Sequence, residues 1–224
     1  MPRLREVPRA EAPPEALKAY QRLFGDRDPV AEPGTATGTP GNWWTVFAQS
    51  PDVLRYFQQG GALYKGPERK IPPYFVELGI LRTGFTVGSK FVFSQHCKGA
   101  RAAGIAEQKV EAVPHWGVTD LFDEPERAVL GYVDEMVLAL GRVQDGTFAA
   151  LKKHFSDEAI LELTYIVGLY MMYAVLTRAL RLEYDDVDER VVEVPMPGGE
   201  GAAVNIMAQM SGERGESERS GTSG

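Results

Sequence analysis

The stretch IPPYFVELGILRTGFTVGSKFVFSQHCKGARAAG, residues 71–104, decides the fold of this chain. It begins with a proline pair, which a first helical turn tolerates, and an apolar run follows. Gly84 and Gly88 are expected to loosen the end of this first helix. A second helix is predicted from Ser89 onward, and Gly104 ends it. The stretch therefore predicts two consecutive helices joined by a short turn.

The second of these helices places His96 at the centre of its apolar face on a helical wheel. The opposite, polar face is expected to be solvated and consists of Lys90, Ser94, Lys98 and Arg101. The apolar face consists of Ser89, Val92, Phe93, His96, Gly99, Ala100 and Ala103. Gly99 and Ala100, one turn beyond His96, are predicted to leave empty space beside the imidazole. Such space beside an inward-pointing ionisable group is what a small-molecule site needs.

His96 and Cys97 each have a structural interpretation beside a functional one. A histidine on an apolar face is often a core residue hydrogen-bonded to a carbonyl or carboxylate. Cys97 lies about 100° away on the flank of the helix and is interpreted as an apolar filler, because the chain has no second cysteine to resolve a sulfenate. Glu77 changes the interpretation of His96. It lies in an apolar helix, where an acid either extends its carboxylate to solvent or has a partner, and a buried Glu near a buried His forms a proton-relay pair.

The rest of the chain also predicts helices, so the fold class is all-α. Proline, glycine and capping residues delimit helical segments, which lie within residues 13–25, 43–66, 106–113, 123–141, 145–155 and 156–182. The Pro, Gly and Thr content of residues 26–42 predicts a loop, and residues 190–196 predict a short edge strand or an extended arm. The predicted organisation is an N-terminal arm (1–12), one helical domain (13–194) and a disordered acidic Gly/Ser-rich tail (195–224).

Composition excludes several function classes. The formal net charge is −7, and residues 185–224 hold nine acidic residues against three basic ones, so no basic patch predicts nucleic-acid binding. A single cysteine cannot form an intramolecular disulfide. The N-terminus lacks the apolar core of a signal peptide. The uncharged part of the most apolar segment, residues 163–177, is about 15 residues long and short of the roughly 20 that a bilayer requires. We therefore expect a cytoplasmic protein with a buried core helix at this position.

The sequence resembles the carboxymuconolactone decarboxylase family, which shares its helical fold with the AhpD-like alkylhydroperoxidases. The residues that carry the resemblance are IPPYFVELGILRTG, which is similar to the family's Leu-Pro-Pro-x-x-x-Glu-Leu-x-Ile-Leu-Arg signature, and SKFVFSQHCKGARAAGI, which is similar to its Gln-His helix. The resemblance covers roughly residues 13–184. It implies an oligomeric all-α bundle that forms homotrimers or hexamers.

The resemblance also implies which residues carry the chemistry. In AhpD-like peroxidases the arrangement is Glu-x11-Cys-x2-Cys-x3-His, which places the relay on Glu77 and His96 and the two thiols on Ser89 and Val92. The thiol pair is thus replaced, as in the decarboxylase branch. In that branch a histidine moves a proton while a cation holds the substrate carboxylate. Arg82 matches the family's arginine and is the candidate for anion binding, with Gln95 as a polar neighbour. Tyr74 and Val76 stand where many relatives have basic residues, which leaves the substrate open.

These observations predict a cofactor-independent acid/base lyase for a small carboxylated or lactone-like metabolite, with His96 and Glu77 catalytic. One alternative is a peroxidase that uses Cys97 together with His96. A second is an oligomer that binds a small molecule without catalysis. No metal is expected, because three scattered histidines make a poor ligand set. His115 and His154 are interpreted as surface or capping residues, and Trp43, Trp44 and Trp116 as core or interface aromatics.

Overall fold

The computed structural model of the chain describes residues 1–186, 190–199 and 203–204, and in these residues it is helical without strands. The predicted all-α class is confirmed. The α-helices are α1 (Pro14–Phe24), α2 (Asn42–Phe47), α3 (Pro51–Gly60), α4 (Ala62–Lys65), α5 (Pro73–Val87), α6 (Lys90–Ala102), α7 (Glu107–Ala112), α8 (Glu124–Leu138), α9 (Asp145–Lys152) and α10 (Asp157–Leu180). Two short 3-10 helices cover Arg9–Glu11 and Val113–Val118.

Helix α5 lies at the centre of the bundle and packs against α6, α8 and α10. It ends at Gly88, whose φ of 80° is the left-handed conformation that glycine adopts without strain. Gly84 does not loosen the helix end as predicted. It lies inside α5, where a Cβ atom would come within 2.7 Å of the Phe93 backbone nitrogen. Gly84 therefore lets α5 and α6 approach closely, and this contact sets the positions of Glu77 and His96.

The N-terminal residues cover one side of this central pair of helices. Trp43 stacks on Phe47, Phe57 packs against both of these rings at a steep angle, and Phe57 also stacks on Tyr173 of α10 with ring centroids 3.7 Å apart. The arm before α1 is fixed by a backbone hydrogen bond from Arg3 to Leu180 and by burial of Val7. These contacts form a second, aromatic core beside the bundle. The loop predicted at residues 26–42 is also observed, between α1 and α2.

Helix α10 is the element of the described residues that is long and apolar enough to cross a membrane, by length and composition only. One side of it carries the core residues Leu163, Ile166, Val167, Tyr170 and Ala174. The prediction that the helix is buried on several sides is only partly correct, because a stripe on its other side is exposed. The stripe consists of Leu161, Tyr165, Met172 and Val175, each at least 45% exposed. Since α10 contributes to the core of the bundle, its composition is weak evidence for a membrane span.

Residues 190–196 form an extended arm that lies on α6, which agrees with the second of the two predicted alternatives for this segment. Val194 N–H donates to Ser94 Oγ at 2.9 Å, and both carboxylate oxygens of Glu193 accept from the Arg101 guanidinium at 2.7 Å. Lys98 donates to the Val194 carbonyl and is 1% exposed. The prediction of a solvated polar face on α6 is therefore wrong. Most of the tail predicted at 195–224 lies outside the described residues.

Candidate functional site

Glu77 of α5 and His96 of α6 form a buried hydrogen-bonded pair. The Glu77 Oε2 atom lies 2.7 Å from His96 Nδ1, and the two residues are 6% and 4% exposed. A carboxylate can only accept hydrogen bonds, so Nδ1 carries the proton and Nε2 has the free lone pair. The pair expected from the sequence is thus in direct contact, with the histidine held in one tautomer.

Gly99 makes room for this pair, although not in the way predicted. A Cβ atom at Gly99 would lie 2.6 Å from Glu77 Oε2 and 2.8 Å from Glu77 Cδ. The space beside the imidazole that was expected to receive a ligand is therefore filled by the Glu77 carboxylate. Only a glycine at this point of α6 lets the acid reach the histidine from the neighbouring helix.

Tyr64 of α4 is a third member of the relay that sequence reasoning missed. Its hydroxyl donates a short hydrogen bond to Glu77 Oε1, so each carboxylate oxygen has its own donor. Burial, together with the charge of Glu77, raises the pKa of Tyr64 well above its ordinary value, so the phenol stays protonated. Nothing in the local pattern of α4, a helix of four residues, points to this role.

His96 forms part of the wall of a cavity of about 110 Å³ between α6, α10 and the N-terminal helices. The walls are mainly aromatic and include Trp43, Trp44, Phe57, Phe91, Tyr170 and Tyr173. The Tyr170 ring meets the imidazole edge to face, with centroids 4.6 Å apart. Because Nδ1 is engaged by Glu77, Nε2 is the ring nitrogen that is left for a molecule in the cavity. Trp43 and Trp44, interpreted as core aromatics, belong to the core and to this wall.

Gln95, predicted as a polar neighbour of the site, lines the same cavity. The residue is 4% exposed, and its Nε2 atom is buried without a hydrogen-bond partner among the described residues. A buried amide donor without a partner is unfavourable and rare in native proteins. Its position in the cavity wall means that a bound molecule can supply the missing acceptor.

Glu183 is a second buried acid in the wall of the cavity, and sequence reasoning did not single it out. Its carboxylate accepts from the backbone N–H groups of Gly41 at 2.9 Å and Trp43 at 2.7 Å, so it holds the start of α2 in place. Burial raises the pKa of Glu183 to about 7, although these hydrogen bonds oppose the shift. The residue follows α10 in a turn with φ of 53°, a conformation that no sequence pattern indicated.

Arg82, predicted to bind a substrate anion, lies elsewhere. Its guanidinium forms two hydrogen bonds with Asp134, at 2.6 and 3.0 Å, and two more with the carbonyls of Val113 and Pro114. It does not line the cavity of His96. The geometry therefore favours a structural role for Arg82, which ties α5 to α8 and to the segment after α7.

Cys97 points away from the cavity, into a separate cleft beneath the extended arm. It is 1% exposed, and burial raises the pKa of its thiol well above its ordinary value. Ser89, which stands at one of the family's thiol positions, instead caps α6 and donates a hydrogen bond to Asp185 at 2.6 Å. Neither position offers the accessible thiolate that peroxidase chemistry requires.

The remaining histidines lie outside the site. His115 and His154 are exposed, and His154 lies 3.9 Å from the exposed carboxylate of Glu124. Within residues 1–186 and the short described segments after them, no group of three or more His, Cys, Asp or Glu side chains is arranged to hold a metal ion.

The model of the carboxymuconolactone decarboxylase family matches residues 51–135, a range that contains Glu77, Gln95 and His96. No functionally curated protein matches the chain. Among solved structures, the chain is similar to a protein of unknown function from Agrobacterium tumefaciens, which is provisionally assigned to the AhpD antioxidant defence proteins. The identity is 26%, the TM-score is 0.55, and the match covers 66% of this chain and 96% of that one.

Two further structures share the fold at lower identity. An uncharacterised peroxidase-related protein with an alkylhydroperoxidase AhpD core, from Ralstonia eutropha JMP134, is 17% identical, with a TM-score of 0.61 and coverage of 81% of this chain and 95% of that one. A cysteine-to-alanine variant of the debrominase Bmp8, bound to 2,3,4-tribromopyrrole, is 19% identical, with a TM-score of 0.59 and coverage of 80% and 90%. Residues 51–135 therefore match the carboxymuconolactone decarboxylase family, and the chain shares the AhpD-like helical fold with these structures.

Proposed function

We propose that the protein is an acid/base lyase that moves a proton on a small metabolite bound in the cavity, with His96 as the catalytic base and acid. The observation that carries the proposal is the Glu77–His96 hydrogen bond at the wall of the cavity. His96 Nε2 would accept a proton from the substrate, and the resulting imidazolium would be stabilised by the carboxylate at Nδ1. The electron pair left on carbon would form a C=C bond as the adjacent C–O bond of the substrate breaks, and the imidazolium would return its proton to the departing oxygen, so the step requires no cofactor.

The cavity favours the lactone-like substrate over the carboxylated one. The carboxylated alternative relied on Arg82, whose guanidinium is bound to Asp134 outside the cavity. The lactone-like alternative needs a donor for a carbonyl oxygen, and Gln95 and Tyr170, which both line the cavity, carry such donors. Burial raises the pKa of Tyr170 well above its ordinary value, so its hydroxyl remains a donor.

The burial and position of the Cys97 thiol argue against the peroxidase alternative. Thiol peroxidases need a thiolate at ordinary pH, whereas Cys97 is buried on the far side of α6 from the cavity. No second cysteine exists in the chain to resolve an oxidised sulfur.

Hydrogen–deuterium exchange tests the proposal because it detects the proton-transfer step by itself, whether or not a complete reaction follows. The protein is incubated in D₂O with a panel of lactones and related ring compounds, and NMR follows the loss of individual C–H signals and the appearance of products. The His96→Gln variant should lower the exchange rate about 10²–10⁴-fold, the usual contribution of a general acid/base group. Cys97→Ala is the matched control on the same helix and should leave the rate unchanged. A rate that survives His96→Gln but vanishes in Cys97→Ala would reverse the assignment.

Glu77→Gln and Tyr64→Phe separate a relay from a merely structural pair. Glu77→Gln removes the charge that stabilises the imidazolium, so the exchange rate should fall steeply although the fold is retained. Tyr64→Phe leaves that charge in place and removes one hydrogen bond to it, so it should change the exchange rate much less. Unchanged exchange rates in both variants, with a loss of stability alone, would indicate that the pair only holds the fold together.

A further inference from the structure

From the lining of the cavity we infer that its ligand has a single uncharged, flat and unsaturated ring, as an aromatic compound or an unsaturated lactone has, with a hydrogen-bond acceptor directed at Gln95. The inference relies on the proposed function only for the place where the substrate binds. It concerns recognition, so it can be tested by binding in the absence of turnover.

The size and the walls of the cavity define the shape of the ligand. Its volume of about 110 Å³ is close to that of an engineered cavity of roughly 150 Å³ that binds benzene. Trp43, Phe57 and Tyr173 pack into one aromatic cluster at its side, in which Phe57 stacks on Tyr173 and is tilted against Trp43, with centroids 3.7 to 4.5 Å apart. Tyr170 meets His96 edge to face on another side. Aromatic rings prefer stacked or edge-to-face partners, so a flat ring uses these walls better than a saturated ring does.

Gln95 defines the hydrogen bond that the ligand makes. Its Nε2 atom is buried and has no partner among the described residues, although the side chain lines the cavity. A ligand with a carbonyl, ether or ring-nitrogen acceptor would satisfy this donor. A purely apolar ligand would leave it unsatisfied and would bind less tightly.

The charges around the cavity exclude an anionic ligand. Glu183 lies in the wall, and the carboxylate of Glu77 lies directly behind the imidazole. Besides His96, Lys65 is the one basic residue among the described lining residues, and it is exposed rather than buried. A carboxylate inside the cavity would lose its hydration beside two acids with no buried cation to compensate.

Three probes of matched shape test the inference by isothermal titration and by quenching of tryptophan fluorescence, since Trp43 and Trp44 line the cavity. Acetophenone has the ring and the acceptor, ethylbenzene lacks the acceptor, and benzoate is charged at pH 8. Acetophenone should bind at least about tenfold more tightly than either of the other two. The Gln95→Leu variant, which keeps the size of the side chain, should weaken acetophenone about tenfold and leave ethylbenzene unchanged or slightly tighter.

Cyclohexyl methyl ketone is the control for the aromatic walls and should bind more weakly than acetophenone. The inference is overturned if benzoate binds as tightly as acetophenone, if Gln95→Leu leaves acetophenone binding intact, or if no aromatic probe binds up to its solubility limit. The same titrations on His96→Gln show whether the cavity still selects its ligand when the proposed base is absent, so they separate this inference from the proposed function. Selective binding without any proton exchange would refute the catalytic proposal alone, whereas exchange on an anionic substrate would refute the recognition proposal alone.

Discussion

Replacing Gly99 by alanine tests the packing that brings Glu77 to His96. In an exposed helix interior this change normally stabilises a protein by about 0.5–1 kcal/mol, because glycine loses more backbone entropy on folding. Here a Cβ atom would lie 2.6 Å from Glu77 Oε2 and 3.0 Å from Oε1. The carboxylate is held by Tyr64 on one oxygen and by His96 on the other, so it cannot move without breaking a hydrogen bond.

The expected cost follows from two contributions. Inserting a methyl group into a packed interior costs about 1–3 kcal/mol. Losing a hydrogen bond to a charged acceptor costs about 1.5–3 kcal/mol. The lower ends of both ranges together give about 2.5 kcal/mol, and the gain in helix propensity subtracts about 0.5 kcal/mol, so Gly99→Ala should lower the free energy of unfolding by at least about 2 kcal/mol. It should also lower the proton-exchange rate, because the imidazole loses its partner.

A double-mutant cycle measured by urea unfolding isolates the contact. In a Glu77→Ala background the clash is absent, so Gly99→Ala should stabilise the protein by about 0.5–1 kcal/mol and the sign of its effect should reverse. The coupling free energy should then be about 3 kcal/mol. Gly131→Ala in α8 is the matched control, because its Cβ atom would make an ordinary 3.7 Å contact with Trp116.

Stabilisation of the parent protein by Gly99→Ala, to the same extent as in the Glu77→Ala variant, would refute this account of the packing. Equal effects of Gly99→Ala in the parent protein and in the Glu77→Ala variant would mean that the Glu77 carboxylate can move aside without cost. The glycine would then have no part in assembling the relay.

Three further changes test other parts of the structure. Because burial raises the folded-state pKa of Glu183 from 4.5 to about 7, the contribution of Glu183 to stability should be greatest below pH 4.5 and should fall by about 3 kcal/mol as the pH rises through 7. Glu183→Gln should remove this fall in urea unfolding at pH 5 and 8. Glu193→Gln removes the carboxylate bound to the covered face of α6 and should cost about 1–3 kcal/mol, whereas Glu11→Gln, in an exposed ion pair, should cost less than about 0.5 kcal/mol. Val175→Glu places a charge in the exposed stripe of α10. If this face joins copies of the chain into the expected homotrimer or hexamer, the charge should lower the molar mass found by sedimentation equilibrium. An unchanged molar mass would exclude this face as the contact between copies.

The helices and the Glu77–His96 pair could be predicted from the sequence because both depend on local sequence patterns. Prolines and glycines mark the ends of α5 and α6, and the helical period aims His96 inward. An acid within the apolar run of α5 requires a partner, so Glu77 could be connected to His96 from the sequence alone. These inferences use residues that are near one another along the chain.

The predictions that failed depended on residues from distant parts of the chain. Ser94 and Lys98 have the spacing of a solvated face, but the arm at 190–196 covers them from about 100 residues away. Arg82 has the sequence surroundings of a free cation, but Asp134, 52 residues later, binds it. A helical wheel reports which residues share a face and contains no information on what covers that face. Tyr64 and Glu183 were missed for the same reason.

The composition of the cavity explains why the family resemblance predicts the chemistry better than it predicts the substrate. Glu77, Gln95 and His96 lie within residues 51–135, the part that matches the family model. Nine of the seventeen described residues that line the cavity lie outside that part, among them Trp43, Tyr170 and Glu183. The proposed proton-transfer pair therefore belongs to the shared segment, whereas both tryptophans, both tyrosines and the second acid of the wall come from the segments on either side of it. Because specificity depends on differences in contact between competing ligands, the substrate has to be inferred from these flanking segments rather than from the matched helices.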